Sequence, residues 1–148
     1  MITRRIPALL CAMMLVCSLI LPASAVEPRE TVIDLGNGFS VVETITQGSF
    51  SLRSGSGNMI YGQKTGKLYQ GSTQIGTVTL AAAFDLSGTS VKATQASISA
   101  SGLNGWSYDH GTSRCSYNVA YGSAVFKSGS TEKRLDLSLS CSPDGSLS

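Results

Sequence analysis

The chain has one histidine, His110, and beyond Cys17 only two cysteines, Cys115 and Cys141. Two thiols and one imidazole fall short of the four ligands of a structural zinc site and lack their paired spacing, so no metal or other cofactor is expected. A single imidazole also restricts nucleophilic catalysis. Cys115 lies near His110, but no orienting third group is apparent. No Gly-x-Ser-x-Gly elbow sits between a strand and a helix. The Gly- and Ser-rich stretch at residues 51–58, SLRSGSGN, has no Lys-Ser/Thr ending and no helix after it, so it is a loop and not a phosphate cradle. Charged residues make up 14% of the chain and form no basic cluster, which excludes a nucleic-acid partner. Glu43, Asp85 and Asp109 are scattered acids, and nothing pairs them as a glycosidase requires. Helical periodicity is missing as well, because Gly, Ser and Thr interrupt every candidate before three turns.

The one long apolar run, Ala8 to Leu21, stands at the start. Arg4 and Arg5 precede it, and Ala23-Ser24-Ala25 follows with small residues at the −3 and −1 positions. That order reads as a secretory signal peptide, residues 1–25, cleaved after Ala25. The run is short of the roughly 20 residues of a comfortable transmembrane helix. A secreted or cell-envelope protein is expected, with no transmembrane segment in the mature chain. Removing Arg4 and Arg5 from the 11 basic residues leaves nine, against nine acidic ones. The basicity of the whole chain thus belongs to the leader. Residues 26–30 read as a flexible polar tail and 31–148 as a single domain.

What fills that domain is period-two alternation. Val78, Leu80, Ala82, Phe84 and Leu86 share one face of a strand, with Thr77, Thr79 and Asp85 on the other. Cys115, Tyr117, Val119, Tyr121 and Val125 alternate in the same way, as do Leu135, Leu137, Leu139 and Cys141. Turn signals separate the runs: Asn37-Gly38, Gln70-Gly71-Ser72-Thr73, Asn104-Gly105 and Ser128-Gly129-Ser130-Thr131. About seven or eight short strands at this spacing predict an all-β fold, an antiparallel sandwich or a small barrel. Two cysteines in an exported chain suggest a Cys115–Cys141 disulfide. In a plain hairpin around Gly129 and Ser130, however, Cys141 faces about Val119, too far from Cys115. A bond then needs a bulge or strands in different sheets.

The stretch SGLNGWSYDHGTSRC, residues 101–115, holds the only Trp and the only His. If Asn104-Gly105 is a two-residue hairpin turn, Leu103 opposes Trp106, Ser101 opposes Tyr108 and Ser99 opposes His110. Trp106, Tyr108 and His110 then share a face opposite Ala96, Ile98 and Ala100. With the alanine side inward, Trp106, Tyr108, His110 and Asn104 form an exposed sugar-stacking platform. A one-residue slip or a bulge puts the aromatics inside instead. That second arrangement buries more apolar area and is the favoured one.

The segments LGNGF (35–39), ETITQ (43–47), YQGST (69–73), NGWSY (104–108) and CSPDGSLS (141–148) resemble those of small secreted all-β proteins from Gram-positive gut bacteria, an uncharacterised group. The resemblance implies export and an all-β fold and carries over no catalytic residues. The reading is a non-catalytic binding or interaction domain, with a cell-surface glycan or a protein as partner. A toxin-like or antimicrobial protein is the alternative, although a mature chain of balanced charge has no evident attraction to anionic membranes. A hydrolase is disfavoured.

Overall fold

A computed structural model describes residues 28–48 and 58–148. The leader at 1–25 and nearly all of the loop at 51–58 lie outside the described residues. Eight antiparallel strands follow one another: β1 (Arg29–Gly36), β2 (Phe39–Gly48), β3 (Met59–Gln70), β4 (Thr73–Asp85), β5 (Lys92–Gly102), β6 (Ser107–Ser116), β7 (Val119–Ser128) and β8 (Thr131–Ser140). Arg29 and Glu30, read from the sequence as tail, belong to β1. The strands form a five-stranded sheet in the order β1-β2-β3-β4-β5 and a three-stranded sheet in the order β6-β7-β8. This is a β-sandwich. No closed barrel forms, and the described residues contain no helix.

The alternation sets the core. Val78, Leu80, Ala82 and Phe84 of β4 turn inward, with Ile98, Ala96 and Ala93 of β5 opposite three of them. Below them lie Ala120, Ala124 and Phe126 of β7 and Leu135, Leu137 and Leu139 of β8. Gly122 sits among these inward residues. A Cβ there would run into Ile98 and crowd Leu80, so this glycine sets how closely the sheets approach. Glu43 also points inward, in phase with Val41 and Ile45. Its carboxylate meets Lys64 Nζ at 3.2 Å, with both side chains mostly buried.

The alternating run from Cys115 to Val125 is not one strand. A two-residue turn, Tyr117-Asn118, divides it between β6 and β7. Ser116 opposes Val119 across the turn, so the phase reverses there: Cys115 faces inward on β6, whereas on β7 Ala120, Ala124 and Phe126 face inward and Val119 and Tyr121 lie on the outer face.

Candidate functional site

The stretch from 101 to 115 does not build a platform. Asn104 and Gly105 do turn the chain, with φ of 52° and 83°, and Trp106 N donates to Leu103 O at 3.1 Å. The arms then separate. β5 pairs with β4, and β6 pairs with β7 in the other sheet. The expected facing of Ser101 with Tyr108 and Ser99 with His110 is therefore not formed. The turn is pinned to the start of β4, where Asn104 Nδ2 donates to Gln74 O at 2.7 Å and Leu103 N to Ile75 O at 2.9 Å. Trp106 enters the core, 8% exposed, with its ring edge-on to Phe39 at 6.0 Å.

Tyr108 also faces inward, edge-on to Phe126 at 6.3 Å, with part of its ring at the surface. A bulge at Asp109 then reverses the phase. His110 comes out on the outer face, opposite Val125. Its Nδ1 is 2.7 Å from Asp109 Oδ2, and the same oxygen is 2.9 Å from Lys127 Nζ. Hydrogen bonds from Lys127, and then from His110, hold the Asp109 carboxyl below its usual range, and Asp109 in turn raises Lys127. The burial argument for the aromatics thus holds for Trp106 and only in part for Tyr108, which faces inward but is 38% exposed. It fails for His110, because the extra residue shifts it to the other side.

Cys115 lies on the inner face of β6, opposite Ala120, while His110 lies on the outer face, so the two do not meet. Cys115 and Cys141 are both free, one exposed and one buried. β7 stands between β6 and β8. Two inter-strand spacings, about 9.6 Å, exceed the reach of a disulfide. The candidate pair is thus not brought together. Among the described residues no group of three or more His, Cys, Asp or Glu could hold a metal.

A different site emerges at the far end of β6. A cleft of about 620 Å³ opens between the start of β5, the Tyr117-Asn118 turn and the chain after β8. Val91, Ala93, Cys141 and Pro143 give it apolar walls, and Lys92, Ser90 and Asn118 add polar groups. Three hydrogen bonds fix the turn. Ala93 N donates to Tyr117 O at 2.7 Å, Cys141 N to Asn118 O at 3.1 Å, and Asn118 Nδ2 to Cys141 O at 2.9 Å. Burial pushes the Cys141 thiol up. Tyr117 itself is 89% exposed and sits at φ 51°. That is left-handed backbone, which a bulky residue adopts only at a cost of roughly 1–2 kcal/mol.

Sequence reasoning missed this residue because large residues recur at every second position straight across the turn. The available signal was Asn118, a turn former placed inside an alternating run longer than any neighbouring one. A smaller polar groove of about 210 Å³ crosses the outer face of β6–β8, where Arg114 stacks over Tyr121 at 4.5 Å and Arg134 Nε binds Asp136 Oδ1 at 2.8 Å. No family model matches the sequence, and neither a curated protein nor a solved structure matches the chain.

Proposed function

We propose that the chain is an exported, non-catalytic binding domain that holds a glycan at the Tyr117 end of its sandwich. One observation carries the reading: a tyrosine kept in left-handed backbone, almost fully exposed, at the mouth of the largely apolar cleft. An exposed aromatic at a hairpin tip is ordinary by itself. One that occupies a position where Asn or Gly would sit without strain is not, since such strain persists where the surroundings enforce it and tends to mark functional positions. The Tyr117 ring offers a face for the C–H side of a sugar. Asn118, Ser90 and Lys92 around the cleft supply partners for hydroxyls. The balance of nine basic and nine acidic residues after the leader favours a neutral glycan over a polyanion.

The test is a glycan and peptidoglycan binding screen on the purified protein, followed by calorimetry on any hit. Tyr117→Ala is expected to weaken binding at least about tenfold, the scale of one lost hot-spot aromatic. Trp106 emission stays unchanged on binding, because Trp106 is buried at the opposite end of β6. Absence of binding to every glycan, or binding that Tyr117→Ala leaves intact, overturns the reading.

A further inference from the structure

The two sheets differ in width, five strands against three. β8 packs against β3 and β4, while β6 and β7 pack mainly against β5. β8 reaches as far as β2, where Lys133 lies over the Phe39 ring and Val41 is buried, so β1 projects past β8. Ile33 stands on the inward face of this overhang at 38% exposure, opposite Val41 and two residues from the partly buried Leu35. Val32, on the other face, is 71% exposed. The outer edges of β1 and β8 pair with no named strand among the described residues.

The last residues of the chain begin to fill the gap. Leu147 forms an antiparallel bridge with Cys141, and Ser140 and Ser148 exchange backbone hydrogen bonds of 2.8 and 3.0 Å. The Leu147 side chain enters between the sheets near Gly62. This is the start of a fourth strand on the β8 edge. Among the described residues no strand pairs with the stretch from Thr131 to Leu139 on that edge. Ser140 turns its backbone groups to that edge, so by alternation Ser138, Asp136 and Arg134 do the same.

We infer that β1 of a second copy completes this strand, so that the chain forms a two-fold dimer closed by reciprocal β1–β8 pairing. The overhang is self-complementary. When β1 of one copy lies beside β8 of the other, the two overhangs stack inward face to inward face. A two-fold axis parallel to the strands then brings the other β1 beside the other β8. Each layer joins three strands of one copy to five of the other. β1 and β8 run in opposite directions, because the chain reverses between every successive pair of strands, so the added contact is antiparallel like the rest.

Register and charge agree. Ile33 lies opposite the buried Val41 and so points inward, as do Leu135, Leu137 and Leu139. Opposed residues share a face, so odd-numbered positions of β1 must meet odd-numbered positions of β8. One such register sets Ile33 of one copy against Leu135 of the other and Asp34 against Arg134. It also places Glu30 opposite Ser138. Slipping β1 by two residues in either direction sets Asp34 against Glu132 or Asp136. The eight residues of β1 fit the open stretch of β8. Charges on an edge strand ordinarily guard against pairing. Here the two edges carry opposite charges at one matched position, Asp34 and Arg134.

Analytical ultracentrifugation of the purified protein tests this directly. The wild type should sediment as a dimer. Asp34→Arg and Arg134→Asp each place like charges at both contacts, and each should raise the dimer dissociation constant by roughly 10- to 100-fold. An equimolar mixture of the two variants should dimerise again, since each contact then pairs Arg with Asp. Circular dichroism melts confirm that each variant is folded. If Asp34→Arg is not, Val32→Asp replaces it, a change at an exposed position that faces Asp136 of the second copy. A monomeric wild type, or variants that dimerise alone as well as mixed, overturns the inference.

Discussion

The turns at the two ends of β6 treat the backbone in opposite ways. At the first, Asn104 and Gly105 supply the residues that left-handed φ prefers, and the side chain that follows, Trp106, goes into the core. At the second, Tyr117 takes a left-handed position and its side chain goes to solvent. Each turn is tied down by hydrogen bonds to other strands. The first arrangement minimises strain and maximises burial, as a structural joint should. The second accepts strain and forgoes burial, and so calls for an explanation outside the fold.

The largest effect is expected at the structural joint. Gly102 lies so close to the Trp106 carbonyl that a Cβ would overlap backbone atoms, which cannot swing aside as a side chain can. Gly102→Ala should cost about 4 kcal/mol or prevent folding, which places it among the exceptional substitutions. Urea denaturation measures it. A loss under about 1 kcal/mol, the level of an ordinary surface or near-surface change, would mean that the joint is looser than the structure has it. Trp106→Ala comes next, with an expected loss of about 3 kcal/mol from the cavity and the lost contact with Phe39. At temperatures where the variant stays folded, its glycan affinity should equal that of the wild type. An equal loss of affinity would place the ligand at the wrong end of β6.

Tyr117→Gly reverses the sign. Glycine adopts left-handed φ without penalty, so the variant should gain about 1 kcal/mol and melt about 3–5 °C higher, while losing the ligand. Stability and binding moving in opposite directions is the signature that separates a strained binding residue from a chance hairpin tip. A Tyr117→Gly variant that melts lower shows that the ring contributes packing at that end.

How much of this was legible in the sequence depended on whether the side-chain phase carried the information. Val78 to Phe84 and Leu135 to Leu139 were readable as inward faces, because burial there follows the alternation, with only the small Ala83 buried out of phase. Glu43 was readable as inward on the same ground, although its partner Lys64, on the neighbouring strand, was not. Three features stayed hidden. The bulge at Asp109 inserts one residue and moves His110 to the opposite face, and no residue type announces it. The Tyr117-Asn118 turn reverses which positions face inward, yet the larger residues at 115, 117, 119 and 121 keep their every-second spacing in the sequence, so the turn looks like strand. The separation of β5 from β6 depends on which sheet each joins. That choice is made by the strands on either side, β4 and β7, and the Asn-Gly turn is the same in either case.

The smallest expected effect concerns Cys141, whose backbone is tied to Asn118 at the strained turn. Its side chain is buried, and burial, with a lesser contribution from the Asp144 charge, raises the thiol above its ordinary value of 9.0. The folded protein therefore keeps this proton where the unfolded chain has lost it. The associated stability is fully present below about pH 9, the ordinary thiol value, and falls as the pH rises above it. Cys141→Val should flatten that alkaline decline relative to the wild type in melts taken between about pH 8 and 10. Exposure gives an independent check. A thiol reagent should modify Cys115 in the folded protein and reach Cys141 only on unfolding. Prompt modification of both thiols under native conditions would mean that the turn opens in solution. The strain assigned to Tyr117 would then be relieved for part of the time, and the contrast between the two ends of β6 would shrink accordingly.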